Sequence, residues 1–235
     1  MQSIGAAIGE AFGLIIGMDA DLAEIIGLSL YVTLSAVAIA CAIGLPLGAL
    51  LAIGRFPGRT PLTILINALM GLPPVVVGLV VYMTLSASGP LGTLGLLYTP
   101  TAMIIAQTLL VLPIITALTR QVIEDLNAEY HDLLMVMGAS PTERIGTLLW
   151  DARFSLITAA LAGLGRAFAE VGAVMIVGGN IDHVTRVMTT AIALETSRGE
   201  LALALGLGIV LVVLSIVINA GLMVLRDLAG QHVHA

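Results

Sequence analysis

The sequence predicts an all-α protein: a polytopic membrane helix bundle with five core transmembrane helices and one sizeable polar loop. Three observations carry that reading. Hydrophobic residues make up 59% of the 235 residues and charged ones 10%, with a mean hydropathy of +1.10, outside the composition of soluble domains. Several charge-free runs are long enough to cross a hydrocarbon core of ~30 Å at ~1.5 Å rise per residue. The remaining charge is gathered into a few segments, and residues 124–153 are the only long polar stretch between such runs.

Residues 1–24 read as an N-terminal interfacial segment. The first 18 residues carry no basic residue, contain Glu10 and run into Asp19-Ala-Asp21-Leu-Ala-Glu24, so the basic start of a cleavable signal peptide is missing. They are expected to lie at the outer surface rather than to form a sixth span. The membrane part, 25–225, opens with an uncharged run at 25–54 that Pro46 should kink near its end. No charge appears from Thr60 to Thr119, too long for one helix and broken by Ser86-Ala-Ser-Gly-Pro90 and Tyr98-Thr-Pro100, so two spans are expected at 61–85 and 100–119. A polar loop at 121–153 follows, then a fourth span at 154–181 containing Arg166 and Glu170. Residues 182–200 are too polar and short to span, and a fifth span at 201–225 leads to a tail at 226–235.

Orientation follows from the basic residues, because Lys and Arg concentrate in cytoplasmic loops. With the amino terminus outside, Arg55, Arg59, Arg120, Arg144, Arg153 and Arg226 are cytoplasmic, and only Arg186 and Arg198 lie outside. The loop 121–153 then faces the cytoplasm, 182–200 faces the external side, and the carboxy terminus is cytoplasmic. All nine basic residues are Arg, so a phosphate-binding loop of the G-x-x-x-x-G-K-[ST] type is excluded. If ATP drives this protein, another subunit hydrolyses it. The scattered arginines form no stripe for nucleic acid, and Cys41, the single cysteine, reads as a packing residue in an apolar span.

The polar loop carries the sharpest pattern. Asp132-Leu-Leu-Met-Val-Met-Gly138-Ala139-Ser140-Pro141 is an amphipathic run ending in a glycine turn, with a second helical segment following to Arg153. Two short helices joined at a glycine form a knob able to sit in a partner's cleft. The loop resembles that of the membrane subunits of binding-protein-dependent ABC importers, where Glu-Ala-Ala, three residues and Gly precede a distal Ile-x-Leu-Pro. Asp132 stands at the Glu position and Gly138 at the Gly position, while Leu133-Leu134 replace the alanines and Leu148-Leu149-Trp150-Asp151 replace the distal end. Gly71-Leu-Pro-Pro-Val-Val-Val-Gly78, Ser88-Gly-Pro-Leu-Gly92, the run from Gly165 to Asn180 and Thr189-Thr-Ala-Ile-Ala-Leu-Glu195-Thr-Ser are similar to the permeases for tetrahedral oxyanions, the tungstate type first and molybdate next.

The resemblance implies a type I ABC importer fold in the plasma membrane and a non-catalytic permease that moves tungstate or molybdate inward by alternating access. It implies a second copy of the chain, two cytoplasmic ATPase subunits that hold ATP and Mg, and an extracytoplasmic oxyanion-binding protein. No cofactor is expected on this chain. It also implies that Asp132, Gly138, Ala139 and Ser140 couple to the ATPase.

Pro73 and Pro74 cost backbone hydrogen bonds inside the second span, which suits either a pore-lining break or a plain structural kink. Arg166 and Glu170 would lie one turn apart on the fourth span and could neutralise one another. The pair reads either as a cation that helps a dianion through or as a structural clamp. Outside, Asp182-His183-Val-Thr-Arg186 and Glu195-Thr-Ser-Arg198-Gly-Glu200 offer a mixed-charge surface suited to a delivering binding protein. His232 and His234 make a weak metal pair on a terminus. A self-sufficient secondary transporter would need more titratable groups inside the spans. An intramembrane serine hydrolase would need a histidine there, and His131, His183, His232 and His234 all fall outside the expected spans.

Overall fold

The structure, a computed structural model, describes residues 20–231 together with Gly9 and Gly13, with side chains as far as Val224. The interfacial segment expected at 1–18 lies outside the described residues apart from those two glycines, as do His232 and His234. The described chain is helical. The helices are α1 (Ala20–Ile53), α2 (Arg59–Leu69), α3 (Pro74–Leu85), α4 (Pro100–Val136), α5 (Pro141–Asp151), α6 (Arg153–Phe168), α7 (Gly172–Gly178), α8 (Met188–Arg198) and α9 (Leu201–Gln231), with a 3-10 turn at Gly92–Leu94.

Three of them are long and apolar enough to cross a membrane singly: α1, α4 and the Leu201–Val224 part of α9. Counting α2 with α3 and α5 with α6 as bent spans brings the number to five. The expected second span is not one helix. It ends at Leu69 and restarts at Pro74, with Pro73 extended at the N-cap. The diproline opens a helix instead of kinking one, because at the first helical position the missing N–H has no intrahelical partner to lose.

The expected fourth span also differs, since α6 stops at Phe168 and the seven-residue α7 starts only at Gly172. The third span is longer than its charge-free run. α4 continues for 37 residues to Val136, about 55 Å at helical rise, so the first half of the expected loop 121–153 is the end of a membrane helix. At its start α1 takes in residues 20–24 of the segment expected to lie at the interface, and α9 runs through 226–231 of the expected tail.

The chain divides into two compact units. Among the described residues, the first gathers 20–35, 73–107 and 168–224, and the second gathers 36–72, 108–167 and 225–231. In the first, Leu22 of α1, Met188 and Ala191 of α8, and Leu207 and Val210 of α9 form one buried cluster. Ser29 ties the same elements together: its Oγ accepts from the Met188 N–H at 2.8 Å and donates to the Ile25 carbonyl at 2.6 Å.

In the second unit α1 and α4 approach closely at Gly44 and Gly48. A Cβ on Gly48 would lie 2.6 Å from the Thr116 carbonyl oxygen and 2.7 Å from Thr119 Cβ. Small residues four apart let helix backbones meet where lipid offers no hydrophobic drive to associate. Arg59 at the start of α2 then closes the corner that follows α1. It donates to the Leu51 and Ala52 carbonyls at the end of α1 and pairs with Glu124 at 2.6 Å. Glu124 takes Arg120 on its other oxygen, also at 2.6 Å.

Candidate functional site

The knob at the end of α4 is built by local chemistry. Gly138 has φ +71, a left-handed conformation that costs a side-chain-bearing residue, and open space surrounds its Cα. Its N–H reaches the Met135 carbonyl at 3.1 Å, and the Ala139 N–H reaches the Leu134 carbonyl at 3.0 Å. This is the paired bonding of a Schellman stop. Ser140 immediately begins α5: its Oγ accepts from the Glu143 N–H at 3.4 Å while its own N–H donates to Glu143 Oε2 at 2.7 Å. That capping box, with Pro141 at the first turn, joins the helices through a link in which every residue has a task. The hydroxyl and backbone of Ser140 hold the Glu143 carboxyl below its ordinary value.

Two braces hold α5 against α4. Arg144 Nη2 donates to Asn127 Oδ1 at 2.8 Å and lies 2.9 Å from His131 Nδ1. Tyr130 packs against the cluster around Leu148, and the Asp151 carboxylate facing it raises its phenol above the usual range. Between them Leu148 is fully buried with Ala49, Ala52, Ile123, Leu134, Ala152 and Leu156.

Among the described residues nothing covers the opposite face. Val136 is 87% exposed and Met137 72%, with Leu133 and Met135 beside them. Val136 stands 16 residues beyond Arg120, about 24 Å along the helix. Lipid covers apolar groups near the membrane boundary, but at that distance such a cluster calls for a protein partner.

In the first unit α3 and α7 form a second constellation. A Cβ on Gly78 would lie 2.7 Å from Ala173 Cα, and one on Gly172 would lie 3.0 Å from Val75 Cγ2. The start of α3 thus packs on the start of α7. Glu170, 2% exposed, precedes α7 and accepts from the Ala173 N–H at 2.9 Å. At the other end Thr185 Oγ1 donates to the Gly178 carbonyl and accepts from the Ile181 N–H at 2.9 Å. The Tyr98 N–H reaches the Val177 carbonyl at 2.9 Å.

Of the residues singled out from sequence, Gly138, Ala139 and Ser140 meet in the knob's turn, and Asp132 is exposed on the last turns of α4. Pro73 and Pro74 open α3, at the end where Val75 touches Gly172, two residues after Glu170. Helix α6, which carries Arg166, ends at Phe168, so Glu170 lies in the link that follows it rather than on the helix itself. Arg166 is half-buried on α6, in the second unit.

Charges of the 182–200 segment are engaged locally: Arg186 with Asp182 at 2.6 Å, Arg198 with Glu195 at 2.9 Å, and His183 with Glu24 at 2.9 Å. The Glu24 bond, then the Asp182 charge, raise the His183 imidazole above its ordinary value. Sequence reasoning missed the apolar tip and the Arg144 brace. The tip had a signal, since Leu133 to Met137 is apolar on every face of a helix and one face alone can be covered from within.

Residues 44–234 match the family of binding-protein-dependent transport system inner membrane components. The chain belongs to that family. It is the membrane permease component of an ABC importer, a multi-pass protein that works with an ATPase and a binding protein. It is 40% identical to the tungstate uptake system permease TupB of Peptoclostridium acidaminophilum over 97% of this chain and all of that one. A probable anion ABC transporter permease of Haloferax volcanii is 41% identical over 85% of this chain and 88% of its own. The sulfate transport permease CysW of Synechocystis is more distant, 24% identical over 91% of this chain and 80% of its own.

Proposed function

We propose that this importer component carries tungstate inward, with molybdate as the next substrate, and that it adds no catalysis of its own. The observation that carries the substrate is likeness along the whole length to a tungstate permease at 40% identity, against 24% for a sulfate permease. Two copies of the chain would enclose the path, with the amino terminus outside and two ATPase subunits, holding ATP and Mg, on the cytoplasmic side. The arginine distribution supports that orientation.

Coupling runs through the knob. Asp132, Gly138, Ala139 and Ser140 shape it, and the uncovered tip at Leu133, Met135, Val136 and Met137 gives the ATPase an apolar surface to grip. On the path, Pro73 and Pro74 start α3 where it crosses α7, and Glu170 fixes the start of α7. Arg166 is the one cation within the expected spans, and with Glu170 it belongs to the path either as the group that meets the dianion or as a structural clamp.

Calorimetry on the cognate binding protein with tungstate, molybdate and sulfate tests the substrate. Tungstate should bind tightest, and sulfate in first place would overturn the assignment. Copurification tests the coupling: Val136→Asp with Met137→Asp should release the ATPase while the helices stay folded, and full retention would remove the knob from the coupling role.

A further inference from the structure

We propose that the second unit holds an anionic phospholipid, its acyl chain in the groove between α1 and the α5–α6 corner and its phosphate on Arg153. The groove encloses about 450 Å³ and is lined by Cys41, Ala42, Leu45 and Pro46 of α1, Leu149 of α5, and Leu156, Ile157 and Ala160 of α6, with Arg153 among them. The lining is apolar but for one guanidinium. α5 meets α6 at 74°, so the corner opens where the polar loop gives way to a membrane helix.

Arg153 is presented for an anion. Its guanidinium lies 4.8 Å from the Trp150 ring and 4.5 Å from the Phe154 ring. Nη1 donates to the Trp150 carbonyl at 2.7 Å. Among the described residues that is its one hydrogen-bond partner, and no carboxylate pairs with it. Aromatic faces hold the fork in place and leave its remaining N–H groups in plane, the geometry that suits a phosphate.

Trp150, 71% exposed, belongs at a membrane interface, where an indole keeps one face in acyl chains and its N–H near the headgroups. An apolar furrow beside a single cation at that depth matches the two ends of an anionic lipid. A free anion would leave the alkyl walls unmatched, and a neutral lipid would leave the guanidinium without a counter-charge.

Trp150 is the only tryptophan of the chain, so its fluorescence reports the groove mouth directly. The full chain should be reconstituted in phosphatidylcholine vesicles holding a small fraction of brominated phosphatidylglycerol or, separately, brominated phosphatidylcholine. One guanidinium at an anionic surface should enrich the anionic lipid beside Trp150 about fivefold over the zwitterionic one. Arg153→Gln should remove the preference, Arg153→Lys should keep most of it, and Ala160→Phe should weaken quenching by filling the groove.

Equal quenching by the two lipids in the unaltered chain would overturn the proposal. Quenching by neither would mean that protein covers the groove, and would overturn it too. Retention of the preference in a folded Arg153→Gln variant would move the lipid elsewhere.

Discussion

The α3–α7 crossing and the α4–α5 knob solve the same problem, fixing two helices at an angle, by opposite means. At the crossing the contact is made by what is missing: Gly78 and Gly172 carry no Cβ, and Ala173 and Val75 fill the space. At the knob it is made by what is present: a full cap at Ser140, the Arg144 brace and a buried Leu148. Solvent explains the contrast. Lipid is as apolar as a leucine, so helices gain by approaching closely, whereas in water they gain by burying apolar groups and satisfying every polar one. The crossing should therefore be most sensitive to atoms added, and the knob to atoms removed.

The largest effect should come from Leu148→Ala, which empties a fully buried position and should cost about 2–5 kcal/mol in thermal unfolding of the purified chain. A loss within experimental error would show that the knob is not held from within. Gly78→Ala should cost about 1–3 kcal/mol, since the added methyl must push the Ala173 backbone aside. An unchanged melting point there would erase the contrast. Gly138→Ala should cost about 1–2 kcal/mol through its left-handed backbone alone, and Gly138→Asn less. Equal losses for Ala and Asn would point to a packing role instead.

Ser140→Ala should remove about 1 kcal/mol of cap, and its pH dependence has a definite sign. The folded Glu143 pKa is lowered, so the cap's contribution is present above the ordinary value of 4.5 and is lost as pH falls through the lowered one. The difference between Ser140→Ala and the unaltered chain, measured at pH 7, should shrink on acidification. The smallest effect belongs to the contact of His183 with Glu24. The folded His183 pKa is raised, so that contact is fully present below 6.5 and weakens as pH rises through the raised value. Hydrogen exchange at 182–186 should quicken over that range, and Glu24→Gln should flatten the dependence.

The knob's turn was legible because its chemistry is local. Gly138, Ser140, Pro141 and Glu143 each suit one position of a helix stop followed by a helix start, and the structure uses them so. The membrane helices were legible as charge-free runs, but charge marks the edge of a bilayer and not the end of a helix. α4 passes Arg120 and goes on to Val136, because Gly138 is the first breaker after Pro113, which α4 tolerates in its interior.

The break after Phe168 was not legible. Ala169-Glu170-Val171 contains no proline or glycine, and the link is fixed by the buried Glu170 carboxylate accepting the Ala173 N–H. The Arg59 corner was equally hidden, since it joins residues 65 apart in the chain.

The turn at Gly138 has a mechanical corollary. Met137, Gly138 and Ala139 all commit their N–H groups to carbonyls of α4, and Ser140 is already the cap of α5, so the link holds no spare residue to act as a hinge. A joint without slack cannot adjust its angle to fit a poor mate. If the knob docks as proposed above, the partner has to do the conforming, and tolerance for substitute partners is set on the receiving side.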